Sequence, residues 1–195
     1  MTSSETLNPK SGVRHLPLEG AYNIRDLGGY KTSEGRTTRW GQYLRSDTLA
    51  NLTQESANAL VEYGIRNIID LRRSTELQFN PSPFIGSEAV TYYHQNMYGD
   101  VPLDGRSALL EIEDQAERRG RVYCQILDQR KHILHQIFSI IAQPDGLPLL
   151  AHCNAGKDRA GIVAAFVLAI SGVPRDTIVE DYALTAKYLV HRHYD

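Results

Sequence analysis

The hydrophobic pattern of the chain divides it into short apolar runs and longer stretches that suit helices. Residues 65–71, built around an Ile-Ile pair, and residues 149–152 predict buried strands. Further strands are predicted over residues 38–44 and 89–94. Residues 22–30 carry a Gly-Gly pair, which predicts a turn between two short extended pieces.

The sequence also predicts four helices, over residues 52–63, 121–142, 160–171 and 175–190. Asn51 or Thr53 can cap the first of them, and Gly64 can close it in the left-handed conformation. The second is predicted as one long helix, with its isoleucines, Leu134 and Phe138 on the inner face.

Strands that alternate with helices predict an α/β fold whose sheet is at least partly parallel. A chain of 195 residues is long enough for one domain with its own core. We assign residues 15–195 to this domain. Residues 1–14 are polar and rich in Ser, Thr, Asn and Pro, so they are predicted to form a disordered tail.

Charge and composition exclude several classes of partner. The formal net charge is -2, so no basic excess points to nucleic acid or to an anionic membrane surface. The longest apolar run, residues 160–170, is too short for stable membrane insertion. No secretory signal is visible at the start, which predicts a cytoplasmic protein and leaves open secretion by another route. The sequence contains only two cysteines, Cys124 and Cys153, so a disulfide framework is not expected to stabilise the fold.

The most informative stretch lies at residues 147–172, where a predicted strand leads through a short loop into a helix. Cys153 opens the loop and Arg159 follows it six positions later, with Gly156 between them. Successive backbone N–H groups of a tight loop, together with the N-terminus of a helix, can surround a tetrahedral phosphate. Arg159 can hold two phosphate oxygens with its planar fork.

The same positive field favours the thiolate form of Cys153, which is the nucleophilic form. A thiolate beneath a bound phosphate can attack phosphorus in line and form a phosphocysteine, which water then cleaves. This chemistry predicts hydrolysis of phosphomonoesters without a metal or another cofactor. A buried, inert core cysteine is the alternative, and it does not explain why His, Cys, Gly, Lys, Asp and Arg occur together at a strand-to-helix junction.

These residues resemble the loop of the protein tyrosine phosphatase superfamily. The form HCxxGKDRxG, here HCNAGKDRAG at residues 152–161, is similar to its atypical tyrosine/serine branch of dual or triple specificity, which includes a mycobacterial protein tyrosine phosphatase B. Further segments agree in order, and the resemblance covers residues from about 15 to 189: NIRDLGGY at 23–30, YLRSD at 43–47, GIRNIIDLRRSTE at 64–76 and DYALTAKYL at 181–189.

The resemblance implies a central, mainly parallel sheet flanked by helices, with a Cys-x5-Arg phosphate-binding loop at its carboxyl edge. It implies that Cys153 is the nucleophile and Arg159 the phosphate clamp. The phosphate-binding residues are then Asn154, Ala155, Gly156, Lys157, Asp158 and Arg159, and inorganic phosphate is expected to bind there. Lys157 would add charge for multiply phosphorylated groups. His152 would hold the loop.

The general acid is open between two carboxylates. Asp158 lies inside the loop, where some related phosphatases also carry an aspartate before the arginine. Asp70 ends a predicted parallel strand, and ligand sites favour the carboxyl ends of such strands. The alternative roles are that Asp158 orients Arg159 and that Asp70 anchors the segment around Arg72. Asp26 and Asp47 are predicted to be structural, pairing with Arg25 or Arg45 or capping turns.

The substrate class is also open. The resemblance implies a phosphorylated protein, with phosphotyrosine or dual specificity, and the alternative is a phosphoinositide. Ala160 replaces a Thr or Ser that the family usually has after the arginine and that helps the cysteine leave, so slower hydrolysis is expected. Relatives also continue into further helices, so the domain is expected to lack a C-terminal helical extension. These two departures keep a second function open, a pseudophosphatase that binds phosphate without turnover.

Overall fold

The computed structural model describes residues 8–105 and 109–190, and its centre is a five-stranded sheet in the order β1-β2-β5-β3-β4. The strands are β1 (Arg25–Asp26), β2 (Tyr43–Ser46), β3 (Asn67–Asp70), β4 (Thr91–His94) and β5 (Leu149–His152). Only β1 runs antiparallel to its neighbour; the other pairs are parallel. The predicted α/β fold with a mainly parallel sheet is therefore confirmed.

The register of the sheet brings the ends of three parallel strands together. His152 at the end of β5 pairs with Ser46 of β2 on one side and with Asp70 of β3 on the other. The residues that follow these positions therefore leave the sheet at the same carboxyl edge. Cys153 is one of them, so strand pairing alone places the predicted loop at the centre of this edge.

Six helices are described: α1 (Gln54–Tyr63), α2 (Ser74–Phe79), α3 (Gln115–Gln129), α4 (Lys131–Ile141), α5 (Arg159–Ile170) and α6 (Arg175–Leu189). The predicted ends of α1 are confirmed. The Thr53 hydroxyl accepts a hydrogen bond from Ser56 N, and Gly64 closes the helix with φ at 113°. The predictions for α5 and α6 agree with the structure to within a residue.

Side chains that alternate along the strands fill two apolar layers, one on each face of the sheet. Ile69, Leu149 and Ala151 face a core that includes residues of α3, α4 and α5. Ile68 and Leu150 face a second core that includes α1 and the segment before β1. Cys153 belongs to the first core, so its loop rests directly on packed apolar side chains.

The prediction of one helix over residues 121–142 is wrong. Two helices occupy this region, and they break at Arg130, whose φ and ψ are -118° and 26°. The side chain of Arg130 explains the break, because it is buried and donates to the carbonyl oxygens of Tyr98, at 2.6 Å, and Val101. The first of the two helices also begins earlier than predicted, after an Asp114 cap.

Two further elements differ from the prediction. The strand expected at residues 38–44 lies later, at β2, because the residues before it form turns. The charged stretch after β3, which had no predicted element, forms the short helix α2. Glu76 stabilises its first turn by accepting a hydrogen bond from Arg73 N at 2.8 Å.

The predicted tail falls partly outside the described residues, at 1–7. Residues 8–14 include a single 3-10 turn at Pro9–Ser11. Arg14 donates to Asp26 O at 2.7 Å, and its guanidinium lies 3.6 Å from the centre of the Tyr30 ring. Within 8–105 and 109–190, no helix has the length and apolarity that a membrane crossing needs.

Candidate active site

Cys153 is delivered to the carboxyl edge of the sheet by β5 and is buried, with 2% of its surface exposed. Its N–H lies 3.4 Å from Ser46 O, which continues the pairing of β5 with β2 for one more residue. The chain then turns through residues 154–158 and enters α5 at Arg159. The nucleophile candidate and the arginine therefore stand on a strand end and a helix start, both of which are rigid.

The loop between them is held from outside through its carbonyl groups. The four carbonyl oxygens of residues 154–157 accept, in order, from Thr48 N at 3.0 Å, Asn23 Nδ2 at 3.0 Å, and Arg45 Nη2 at 2.7 and 3.3 Å. A trans peptide is planar, so the N–H that follows each outward carbonyl points to the other side, into the loop. The result is a nest of inward N–H groups of the kind that binds anions.

Gly156 is required by the tight packing of this loop on β2. Its φ is 65°, in the left-handed region, and a Cβ atom there would lie 2.6 Å from the backbone of Ser46 and Asp47. A larger residue would therefore separate the loop from the strand that supports it.

The cation that holds the loop is itself held by Asp181. Arg45 Nη1 lies 2.7 Å from Asp181 Oδ2, and Arg25 Nη2 lies 3.6 Å from the same oxygen, all in the protein interior. Burial opposes ionisation of Asp181, but the two guanidinium groups outweigh it and lower its pKa. Sequence reasoning missed Asp181, and the only signal was its position in the segment DYALTAKYL.

Arg159 is oriented by Glu76, a partner that sequence reasoning also missed. Its Nη1 and Nη2 atoms lie 2.5 and 2.9 Å from the two carboxylate oxygens of Glu76, and Nη1 also lies 3.4 Å from Leu71 O. Among the described residues, Nε–H and the second hydrogen of Nη2 have no acceptor. These two donors share one edge of the guanidinium, which is the geometry that two phosphate oxygens need.

Asp158 stands at the mouth of the site with a third of its side chain exposed. Its Oδ1 accepts a hydrogen bond from the Tyr123 hydroxyl and lies 3.5 Å from Arg119 Nε. Both partners belong to α3, so this helix covers the loop beside Asp158. No described residue donates to Oδ2 of the same carboxyl group.

Asp70 is fully buried, and its carboxylate is surrounded by donors. Arg72 donates to it from its backbone N, Nε and Nη2, at 2.7–3.0 Å, and the Tyr92 hydroxyl donates at 2.6 Å. Burial opposes ionisation, but His152, Arg72 and Tyr92 outweigh it and lower the pKa of Asp70 to about 2. Asp70 anchors the segment around Arg72, one of the two roles considered for it.

His152 lies behind the loop, fully buried, with Nε2 3.5 Å from Asp70 Oδ2. Burial lowers its pKa to about 4, so the ring is neutral at neutral pH. Arg72 and Tyr92 are then what keep Asp70 ionised under those conditions.

Asp26 and Asp47 hold turns, as predicted. Asp26 accepts from Gly28 N, Gly41 N and the Tyr63 hydroxyl, and Asp47 accepts from Tyr22 N and Asn23 N. Arg25 and Arg45, the partners considered for these aspartates, both form ion pairs with Asp181.

Two cavities share Tyr98 and Val122 as lining residues, and the smaller of them includes a residue of the loop. One measures about 390 Å³ and includes Arg73; the other measures about 310 Å³ and includes Asp158. The Tyr98 ring lies between the two cavities, with its centre 4.7 Å from the Arg159 guanidinium and 4.9 Å from that of Arg73. In the part of the chain that the structure describes, no group of His, Cys, Asp and Glu is arranged to hold a metal.

The fold and this loop define a class of protein in which a cysteine and an arginine share one anion-binding turn at the edge of a mainly parallel sheet. The model of the tyrosine phosphatase family matches residues 16–194, so the chain belongs to that family.

Individual relatives agree with this assignment. A tyrosine-protein phosphatase of Nostoc commune is 34% identical, over 75% of this chain and 49% of that protein. The triple specificity protein phosphatase PtpB of Mycobacterium tuberculosis is 31% identical, over 87% of this chain and 68% of PtpB. This chain thus spans about half the length of the first relative. Among solved structures, P. aeruginosa TpbA in complex with phosphotyrosine is 14% identical, covering 80% of this chain and 82% of that chain, with a TM-score of 0.37.

The buried pair His152 and Asp70 predicts loss of stability in acid. An unfolded chain protonates histidine near pH 6.5, whereas the folded protein resists protonation of His152 until pH about 4. Stability should therefore fall by about 3 kcal/mol between these values as the pH decreases. Below pH about 4, the protein loses further stability, because Asp70 is protonated in the unfolded chain but has a pKa of about 2 in the folded protein.

Urea unfolding at several pH values measures this loss. His152→Asn should flatten the dependence of the unfolding free energy on pH between about pH 6.5 and 4, whatever its effect on stability at neutral pH. His132→Asn, which alters an exposed histidine of α4, is the control and should leave the dependence unchanged. Equal slopes in the wild type and His152→Asn would contradict the prediction.

Proposed function

We propose that this protein hydrolyses phosphomonoesters through a phosphocysteine intermediate, without a metal ion, and that its substrates are phosphorylated tyrosines or a mixture of phosphorylated residues in proteins. One observation carries the proposal: the nest of inward N–H groups ends at Arg159, whose Nε–Nη2 edge is free, while Cys153 stands at the other end. Cys124 and Cys153 are free thiols, so a reducing compartment such as the cytoplasm suits the reaction.

In the first step the Cys153 thiolate attacks phosphorus. The S–P bond forms as the bond from phosphorus to the ester oxygen breaks, and the leaving oxygen receives a proton from the Asp158 carboxyl group. The loop N–H groups and Arg159 bind the non-bridging oxygens and stabilise the charge that they carry in the transition state. Glu76 keeps the guanidinium in this orientation throughout.

In the second step a water molecule attacks phosphorus and the S–P bond breaks. Asp158, now a carboxylate, accepts a proton from this water, inorganic phosphate forms, and the thiolate is restored. Ala160 is buried at the start of α5 and offers no hydroxyl to the leaving sulfur. We expect this second step to be the slower one.

The structure supports Asp158 over Asp70 as the acid. Asp158 is partly exposed at the mouth and has one carboxyl oxygen without a donor among the described residues. Asp70 is fully buried and takes its donors from Arg72 and Tyr92, and its low pKa makes it a poor proton donor at neutral pH.

The contacts of Tyr98 support an aryl substrate. Its ring stands over Arg159 and forms a wall common to the two cavities, where a phosphotyrosine ring could lie against it. The names of the two relatives, a tyrosine-protein phosphatase and a triple specificity phosphatase, agree with this class. Lys157 favours a second candidate, a phosphoinositide, since it is half-buried in the loop and adds a positive charge there.

Loss of the nucleophile should abolish turnover while the anion site remains. Cys153→Ser is expected to reduce hydrolysis of p-nitrophenyl phosphate and of phosphotyrosine peptides to background, with phosphate binding retained in calorimetry. Arg159→Lys should lose roughly 10²-fold or more in kcat/KM, because lysine lacks the fork. Cys124→Ser, at the exposed thiol, is the matched control. No turnover by well-folded wild type on any phosphomonoester would leave a pseudophosphatase.

Substitutions of the two aspartates should have opposite effects: one should lower activity and the other stability. Asp158→Asn is expected to lower kcat by roughly 10²-fold with little effect on stability. Asp70→Asn should cost about 3 kcal/mol of stability, because it leaves Arg72 buried without its anion, while kcat per folded molecule changes little. Kinetics beside urea unfolding distinguish the two. A larger loss of kcat in Asp70→Asn than in Asp158→Asn would reverse the assignment.

The charge of Lys157 separates the substrate classes. Lys157→Met should raise KM for phosphoinositides carrying several phosphates by roughly 10-fold and change KM for phosphotyrosine peptides much less, because only the former place additional charge beside the loop. Lys31→Met removes an equal charge from an exposed hairpin and is the control. Equal changes for both substrates would remove the argument for phosphoinositides.

A further inference from the structure

A chain of three side chains reaches the mouth of the site from three different elements. The Tyr182 hydroxyl of α6 lies 2.8 Å from the Tyr123 hydroxyl of α3, and the Tyr123 hydroxyl donates to Asp158 Oδ1 in the loop. Both tyrosines are half-buried. Tyr123 lies outside every segment that carries the family resemblance, whereas Tyr182 belongs to the segment DYALTAKYL.

The two hydrogen bonds that link these three side chains run in one direction. Each phenol has one proton, and Tyr123 gives its proton to Asp158, so Tyr182 must be the donor to Tyr123. Burial raises the pKa of Tyr123, and its hydrogen bond to Asp158 raises it further. Tyr123 therefore remains a neutral donor at neutral pH.

The direction of donation distinguishes the two oxygens of Asp158. Oδ1 receives the Tyr123 hydroxyl and lies 3.5 Å from Arg119 Nε, whereas Oδ2 has no donor among the described residues. An oxygen that already accepts a hydrogen bond and lies beside a guanidinium is a poor place for a proton. We infer that Tyr123, held in turn by Tyr182, is a positioning residue that keeps the acidic proton of Asp158 on Oδ2, the oxygen free to face the leaving group.

The packing of Tyr182 fixes this arrangement against the loop. A Cβ atom on Gly161 would lie 3.2 Å from Cδ2 and Cε2 of the Tyr182 ring, so the absence of a side chain in the first turn of α5 permits the close approach. The preceding residue, Asp181, binds the Arg45 that holds the loop carbonyls. One turn of α6 thus positions both the anion site and the acid.

The inference rests on the proposed acid role of Asp158, and leaving-group dependence tests it. Protonation matters most when the leaving oxygen is basic, so phenyl phosphate should respond and 2,4-dinitrophenyl phosphate should not. Tyr123→Phe is expected to lower kcat/KM, which reports the first step, by roughly 10-fold for phenyl phosphate and to change it by less than about 2-fold for the dinitrophenyl ester. Tyr182→Phe should show the same pattern, more weakly.

A matched substitution and a double variant complete the design. Tyr188→Phe alters another tyrosine of α6, stacked on His15, and should leave both substrates unaffected. Tyr123→Phe added to Asp158→Asn should cause no further loss on phenyl phosphate, because the two residues act as one unit.

The possible failures are distinguishable. If Asp158→Asn responds to the leaving group but Tyr123→Phe slows both substrates equally, or adds to Asp158→Asn, the inference is overturned and the acid assignment stands. If Asp158→Asn itself shows no dependence on the leaving group, the acid assignment is overturned and the inference with it. If the wild type hydrolyses neither ester, the proposed function fails as a whole.

Discussion

The orientation of four peptide groups is the constraint on which the rest of the site depends. Each carbonyl of residues 154–157 is bound from outside, by a backbone N–H, an amide or a guanidinium, and this turns the following N–H groups inward. A loop with unbound carbonyls would populate many peptide orientations, and ordering them would cost about 1–2 kcal/mol for each residue. Because that ordering cost is met during folding, a phosphate bound there, as proposed, would meet donors that are already aligned.

The buried charges near the carboxyl edge extend the same constraint outward. Arg45 is paired with Asp181, Arg159 with Glu76, and Arg72 with Asp70, so each cation that supports the site has a carboxylate partner. These pairs contribute little net stability by themselves, since burial of both charges offsets their attraction. What they provide is orientation: a guanidinium bound along one edge can present only the other edge to a ligand.

The sequence was most informative where the structure is local. The strand, loop and helix of residues 149–170 are contiguous, so the order of residue types was sufficient to place Cys153 and the fork of Arg159. Glu76, Asp181 and Tyr123 reach the site from distant segments, and hydrophobic periodicity and motif spacing do not predict such approaches. The helix break at Arg130 was missed for the same reason, because it depends on carbonyl groups of the loop near Tyr98. Tertiary contacts, rather than local propensity, determine the approach of these side chains and the helix break.

The proposed acid role of Asp158 gives the covering helix, α3, a specific task. Asp158 directly precedes Arg159, so the loop proposed to bind the phosphate would also bring the carboxyl group to it, and no separate segment would have to move to deliver a proton donor. A carboxyl group on a rigid loop still has two oxygens, and rotation of the side chain exchanges them. Contacts from α3 remove this freedom, because Tyr123 and Arg119 both approach Oδ1. In the proposed mechanism the loop therefore sets where the acid is, and α3 sets which oxygen carries the proton.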